Sequence, residues 1–341
     1  MSHHTIVELH GDGISTELSQ SVHTIAGALS SDLSFEPIDL SQPNREARGE
    51  ALYDEAVEAM KRHGVAIKYP TATTEESPNK VLRERCQFSV IHRPVCSIPG
   101  IETNFTKPLD IDVVRVATGG TYDDAGQRIG PDTAVSIRVI SRHPCRHASR
   151  FAFKLAMKRR SGVVSTSKWT IQKATDGFFE EICDRVSQDY PGVPYRRELF
   201  DALLAGIIMN PDRYGVIVCP NEYGDFLSDT ACGLIGSIGL GDSSSYAFDH
   251  EGRVTLAMFD PSGGTAPDIA GQDIANPTAS LLAFSNLLRH LGEEAPGKAL
   301  RAAIFGAIAD GQKTQDIGGD LGTRAFTAIV RERISSALDP K

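Results

Sequence analysis

Cysteine is scarce and dispersed: six residues in a 341-residue chain, Cys86, Cys96, Cys145, Cys183, Cys219 and Cys232, with no CxxC spacing among them. That pattern excludes a cysteine zinc site and a disulfide framework, and the expectation is reduced, mostly buried thiols. No apolar run approaches the ~18 residues of a membrane span, and no basic-then-apolar leader opens the chain. Positive charge is in deficit, with 35 Lys and Arg against 44 Asp and Glu and a net charge of −9. A polyanion such as DNA is therefore a poor partner, and the short run Lys158-Arg-Arg160 reads as a solvated helix end. A third glycine is missing after Gly11 and Gly13, so the first turn is not a complete GxGxxG phosphate loop. Internal repeats and low-complexity tracts are also lacking. What is there is an ordinary globular composition, 40% hydrophobic and 23% charged, in a chain long enough for two domains. A cytoplasmic protein that binds neither membrane nor nucleic acid is the simplest expectation.

Strand and helix patterns alternate. Residues 5–9 read as a strand and 15–29 as a helix after a Gly-Asp-Gly turn; 51–63 read as a second amphipathic helix and 65–69 as the next strand. Short β runs at 162–165 and 215–219 flank helical stretches at 176–188 and 197–209. The alternation predicts an α/β class.

The run Val216, Ile217, Val218 ends in a Pro220-Asn221 turn, which places the following residues at the C-terminal edge of a sheet, where ligands of open α/β folds collect. If Asp225 opens the next helix, Asp225 and Asp229 share one face. Two hard carboxylates suit Mg²⁺ or Mn²⁺ better than Zn²⁺. Taken alone, the same acids equally serve to offset the dipole of a helix N-terminus.

Downstream stands Asp260-Pro-Ser-Gly-Gly-Thr-Ala-Pro-Asp-Ile-Ala-Gly271, followed by Ile274-Ala-Asn-Pro277. Together with the stretch from Tyr214 to Asp229 it resembles the isocitrate/isopropylmalate dehydrogenase family of β-decarboxylating dehydrogenases. The likeness runs from His10-Gly-Asp-Gly-Ile14 to Thr314-Gln-Asp-Ile-Gly-Gly319. It implies a two-domain α/β fold in which a discontinuous large domain, residues 1–97 and 239–341, binds the cofactor. Residues 98–238 would form a small domain with the metal-binding and dimer-forming elements. The implied activity is NAD-dependent, Mg²⁺- or Mn²⁺-dependent oxidative decarboxylation of isocitrate or a close 3-substituted malate, homoisocitrate or a phosphonate analogue included. An isopropylmalate or tartrate-type dehydrogenase, or a regulatory homologue without turnover, is the alternative.

Carried onto this chain, the resemblance implies that Arg83, Arg93 and Arg115 hold substrate carboxylates, for which a planar guanidinium fork is well suited. Ser77 and Asn79 would meet the γ-substituent, which leans towards a polar group. Tyr122, seven positions after Arg115, and Lys168 would be the catalytic pair, with Lys168 reaching into the neighbouring subunit's site. Asp201 from that neighbour would join Asp225 and Asp229 on the metal. Thr73, Gly264, Thr265, Ala266, Asp268, Ile269 and Asn276 would hold NAD, and Asp268 disfavours the extra phosphate of NADP. Four positions depart from the family pattern. Val116 and Ala117 replace an acid and an amide, Thr170 replaces an asparagine, and Gly263 replaces the histidine that meets adenine. The expectation is fewer polar groups near the site and a weaker grip on the dinucleotide.

Overall fold

A computed structural model of the chain describes residues 3–74 and 76–338. In chain order the elements are β1 (His4–His10), α1 (Ser15–Ala26), β2 (Leu33–Asp39), α2 (Gln42–Arg48), α3 (Glu50–His63), β3 (Val65–Lys68), α4 (Pro78–Arg85), β4 (Val90–Cys96), β5 (Asp110–Val116), β6 (Gln127–Ile129) and β7 (Thr133–Val135). There follow α5 (Arg142–Arg159), β8 (Val163–Ser167), α6 (Asp176–Ser187), β9 (Tyr195–Leu199), α7 (Phe200–Met209), β10 (Val216–Cys219), α8 (Asn221–Leu234), β11 (Asp242–Phe248), β12 (Val254–Pro261), α9 (Thr278–His290), α10 (Glu294–Ala309) and α11 (Thr323–Leu338).

Local sequence explains the principal pieces. Leu52, Tyr53, Ala56, Val57, Ala59 and Met60 bury one side of α3, and Gly64 ends it in the left-handed conformation at φ 74°. All four residues of β3 and all four of β10 are buried, as the apolar run of β10, and that of β3 up to Lys68, require of strands covered on both faces.

Ten strands form one sheet in the order β2-β1-β3-β12-β11-β4-β5-β10-β8-β9. The block β2-β1-β3-β12 is parallel, as is β5-β10-β8-β9, and the antiparallel ladder β12-β11-β4-β5 joins the two. Every strand up to Cys96 or after Asp242 lies on one side of the β4-β5 seam, and every sheet strand between them lies on the other. The start of β4 and the residues just after β5 and β10 therefore share one edge near the middle of the sheet, since β4 runs antiparallel to β5 and β10 runs parallel to it.

Three local readings need correction. The helix from Ser15 ends at Ala26, short of residue 29. Arg197, Glu198 and Leu199 belong to β9, where they pair in register with Ser165, Thr166 and Ser167, so α7 starts only at Phe200. Asp225 does not open its helix; α8 starts at Asn221 behind Pro220, and Asp225 lies in the second turn. The i,i+4 relation to Asp229 survives because both residues remain helical. Five of the six cysteines are buried and the sixth is partly so, all as free thiols. Burial raises the thiols of Cys86, Cys145, Cys219 and Cys232 to about 12, which keeps them unreactive.

Candidate active site

The site is built where β4, β5 and α8 meet. Arg115, at the inner end of β5, is 1% exposed, and its Nε donates to Asn221 Oδ1 at 2.8 Å while a second nitrogen donates to Asp225 Oδ1. Gly224 is required beneath it, since a Cβ there would stand 2.6 Å from the Arg115 Cβ. Burial and the neighbouring Arg83 bring the Arg115 guanidinium down to about 10. Arg93, on β4, donates to Ser228 Oγ at 2.7 Å and to Asp229 Oδ1 at 2.9 Å, with Asp225 Oδ1 at 3.6 Å. The Tyr122 hydroxyl donates to Asp225 Oδ2 at 3.2 Å, and its ring lies 5.7 Å from the Arg115 guanidinium. Burial and the Asp225 carboxylate push that phenol above its ordinary range, so it keeps its proton at neutral pH. Arg93, Arg115, Tyr122, Asp225 and Asp229 thus converge in one place.

Beside them opens a cavity of about 180 Å³ lined by Lys68, Asn79, Arg83, Arg93, Ser243, Ser245 and Asp260, among others. Lys68 is fully buried and donates to the Tyr69 carbonyl at 3.0 Å; burial lowers its ammonium to about 8. Burial raises the Asp260 carboxyl, against the pull of Lys68, Arg93 and Arg83. Among the described residues, Asn79 Oδ1 is buried without a hydrogen-bond partner, as is Asp260 Oδ1. Orphaned polar atoms beside a positive cavity suit a polar ligand. Ser77 stands just before α4 and makes no side-chain cap.

The sequence reading missed Lys68, Ser243 and Ser245 as members of this cavity. A lysine closing the otherwise apolar strand Val65-Ala-Ile-Lys68 was the available signal, because such a residue cannot be buried there without a use. It also missed Asn221, whose amide donates to the Gly119 carbonyl at 3.0 Å while its oxygen holds Arg115, fixing Tyr122's loop against α8.

The departures fall unevenly. Val116, the last residue of β5, and Ala117 just after it are 2% and 3% exposed, and each packs into a separate apolar cluster. Thr170 is exposed in the turn after β8, and Gly263 has open space where a side chain would stand.

Lys168 and Asp201 pair with each other at 2.8 Å, and among the described residues neither bonds to Tyr122, Asp225 or Asp229. Within the described residues of one chain, no group of three His, Cys, Asp or Glu side chains is placed to hold a metal ion. Two carboxylates one helical turn apart are nonetheless a hard-oxygen donor set, incomplete without a further ligand.

The loop from Asp260 to Gly271 runs past the first turn of the chain. Ile14 donates to the Thr265 carbonyl at 2.9 Å, and Gly13 has no room for a Cβ, which would come within 1.9 Å of that oxygen. Ala266 is held at φ 38°, a strained conformation for a residue with a side chain. No built Cβ at Gly264 meets an atom within 4 Å, and Asp268 is exposed. Asn276 donates to Asp316 Oδ2 at 2.9 Å and its oxygen accepts from the Thr278 amide at 3.0 Å, which ties the stretch Ile274-Ala-Asn-Pro277 to Thr314-Gln-Asp-Ile-Gly-Gly319. Thr73 is exposed on the loop before α4.

A family model described as isocitrate/isopropylmalate dehydrogenase matches residues 5–333. The chain belongs to the isocitrate/isopropylmalate dehydrogenase family. Among its relatives is the 3-isopropylmalate dehydrogenase of Archaeoglobus fulgidus, 35% identical over 98% of this chain and 99% of that one. A probable NAD isocitrate dehydrogenase alpha subunit of Caenorhabditis elegans is 33% identical over 95% of this chain and 90% of the relative. The crystal structure of isocitrate dehydrogenase from Methylococcus capsulatus superposes with a TM-score of 0.89 at 30% identity, covering 97% of this chain and 99% of that one. Both branches are thus represented at similar identity, and the family of oxidative decarboxylating dehydrogenases is established while the substrate is not.

Proposed function

We propose that this protein is an NAD-dependent, divalent-metal-dependent dehydrogenase that oxidatively decarboxylates isocitrate or a close 3-substituted malate whose γ-substituent is polar or anionic. The observation that carries this reading is the cavity beside Tyr122 and Asp225, where Lys68, Arg83 and Arg93 face Asn79, Ser243 and Ser245. An isopropyl group would leave those polar atoms unpaired at a cost of roughly 1–3 kcal/mol for each one stranded, which opposes the isopropylmalate alternative. Homoisocitrate and a phosphonate analogue satisfy the same chemistry.

Asp225 and Asp229, with the partner subunit's Asp201, would hold Mg²⁺ or Mn²⁺. The loop from Gly264 to Ile269, with Thr73 and Asn276, would hold NAD. When bound, the cation supplies Lewis-acid polarisation of the substrate oxygens and the nicotinamide accepts hydride. Arg83, Arg93 and Arg115 fix the substrate carboxylates by paired hydrogen bonds. The partner subunit's Lys168 takes the hydroxyl proton, and Tyr122, protonated at neutral pH, returns a proton to carbon after CO₂ leaves. Exposed apolar side chains support a homodimer with shared sites: Ile129, Val135 and Ile137 on or beside the β6-β7 hairpin, Ile208 and Met209 on α7, and Phe226 on α8. The division of strands about the β4-β5 seam supports two lobes, residues 1–97 with 239–341 and residues 98–238, and a cytoplasmic location fits the composition.

The test is a turnover screen of 3-substituted malates, isopropylmalate and tartrate included, with NAD or NADP and with Mn²⁺ added or chelated. Mn²⁺-dependent NADH formation with an anionic γ-substituent is expected. Isopropylmalate as the preferred substrate would overturn the γ-substituent reading. Ligand binding without turnover for every substrate would point instead to a regulatory homologue.

A further inference from the structure

One guanidinium lies behind all the catalytic segments without belonging to any of them. Arg138 follows the β6-β7 hairpin, and its Nε donates to Asp176 Oδ1 at 2.9 Å. Asp176 is fully buried at the start of α6, and its other oxygen accepts the backbone N–H of Lys168 at 2.7 Å and the Tyr223 hydroxyl at 3.1 Å. On its opposite side Arg138 forms an ion pair with Glu222, whose two oxygens are buried and find no hydrogen-bond donor elsewhere among the described residues. Its guanidinium also covers the Tyr223 ring at 4.9 Å.

Glu222 stands three residues before Asp225 on α8. It also presses on Gly120, at φ 71°, where a Cβ would come within 1.9 Å of Glu222 Oε2. Gly120 in turn exchanges backbone hydrogen bonds with Val139, at 2.7 and 2.9 Å, immediately after Arg138. Arg138 therefore touches the anchor of Lys168, the helix of Asp225 and the loop of Tyr122.

We infer that Arg138 is a positioning residue that locks the Lys168 segment to the Asp225 helix and the Tyr122 loop through the buried carboxylates Asp176 and Glu222. The consequence for activity rests on the function proposed above, in which Lys168 crosses to the partner's site. On that reading the same guanidinium ties one subunit's metal helix to the lysine it lends to the other. A buried carboxylate pair facing one guanidinium has two contacts to satisfy, and a planar fork can satisfy both, whereas a lysine offers a single point charge. A catalytic group misplaced by about 1 Å loses on the order of a hundredfold in rate, so a residue that never meets substrate can still govern kcat.

The test uses the whole protein with Arg138→Gln and Arg138→Lys, the lysine variant retaining the charge if the glutamine variant folds poorly. Hydrogen exchange of the ligand-free proteins is the first readout. Faster exchange is expected at both remote ends, the amides of residues 167–172 and those of residues 120–123 and 222–229, with β1 and α9 unchanged. Exchange that rises only around residues 136–140 would overturn the lock, whatever the substrate proves to be. The second readout is steady-state kinetics on the substrate found in the turnover screen. Arg138→Gln should lower kcat by about 10–100-fold with KM for substrate and NAD within threefold, and Arg138→Lys should recover part of it. A loss confined to KM, or an unchanged kcat despite loosened ends, would overturn the positioning role. Loosened ends in a chain whose parent turns over no 3-substituted malate would support the lock and condemn the function instead.

Discussion

Helix α8 carries two sets of carboxylate–arginine pairs one turn apart, and they differ in access rather than in chemistry. Glu222 is paired with Arg138, which also holds Asp176, and the side-chain exposures are 5% for Glu222, 11% for Arg138 and 0% for Asp176. Asp225 and Asp229 pair with Arg115 and Arg93, but the two aspartates are 30% and 52% exposed. A buried pair is fixed, because removing either partner strands a charge in a poor solvent. A half-exposed pair is exchangeable: a cation can take the aspartates while an incoming carboxylate takes the arginines, and neither charge is ever left alone. On the function proposed above, access to water separates the pairs that would hold the site together from the pairs that would bind metal and substrate.

The largest effect should come from breaking the buried set. Asp176→Ala leaves Arg138 short of one carboxylate and the Lys168 amide without its acceptor, and should lower stability by about 3–5 kcal/mol in guanidinium denaturation. A midpoint within error of the parent would show that the two sets are not different in kind. Asp229→Asn, by contrast, should change stability by less than about 1 kcal/mol, since its partner contact is half in water, while Mn²⁺ affinity falls tenfold or more. Calorimetry and a denaturation curve on the same sample decide between the two effects.

Much of this arrangement was legible in the sequence and part of it was not. The βα alternation and the apolar runs of β3 and β10 show in local periodicity, because those strands are buried on both faces. Asp225 and Asp229 are read from their spacing and Arg115 and Tyr122 from the family resemblance, and the four do converge. Arg138, Asp176 and Glu222 were not identified, since the arginine lies 38 residues from one partner and 84 from the other, and no pattern along the chain reports such a pairing. The start of α7 was misplaced because Leu199-Phe-Asp-Ala-Leu-Leu204 looks helical throughout, while sheet register claims Arg197, Glu198 and Leu199 for β9. Fewer polar groups near the site were expected from Val116 and Ala117, and both side chains sit in apolar clusters.

A third buried carboxylate sharpens the comparison in the other half of the sheet. Glu8 is 2% exposed and accepts from Ser19 at 2.9 Å, from Tyr69 at 3.0 Å and from His23 at 2.9 Å, with His10 at 3.2 Å. Burial alone would raise its carboxyl, but hydrogen bonds and charge from His10 and His23 outweigh it and bring it down to about 2, while the bond to Glu8 raises His10. Stability from the lowered carboxyl is present above its ordinary value of 4.5 and is lost as pH falls towards 2; stability from the raised imidazole is present below 6.5 and is lost as pH rises through its folded value. The acid loss should amount to about 3 kcal/mol, and Glu8→Gln should flatten it. An unaltered acid limb in that variant would show that this cluster is not held by charge.

Lys68 runs the opposite way. Its folded value of about 8, against 10.5, means that keeping the buried ammonium costs stability below pH 8, and the cost is relieved as pH rises from about 8 to 10.5. Lys68→Met should remove that rise, and the parent's KM for an anionic substrate should climb above pH 8 as the cavity loses a charge. A KM that stays flat to pH 10 would remove Lys68 from the substrate pocket.

Cofactor choice should show the smallest effect. Asp268 is exposed, so its repulsion of a 2′-phosphate is weakened by solvent. NAD should be preferred over NADP in kcat/KM by roughly tenfold rather than by thousands, and Asp268→Lys with Ile269→Tyr should narrow or reverse that preference. A parent that prefers NADP would contradict the reading of this loop.

Mn²⁺ titration of the parent, Asp225→Asn and Asp176→Asn, followed by electron paramagnetic resonance, tests the exchangeable-pair account most directly. The account predicts that Asp225→Asn weakens Mn²⁺ binding by tenfold or more, while Asp176→Asn binds within about threefold of the parent despite its larger loss of stability. Equal weakening in both variants, or full affinity in Asp225→Asn, would contradict it.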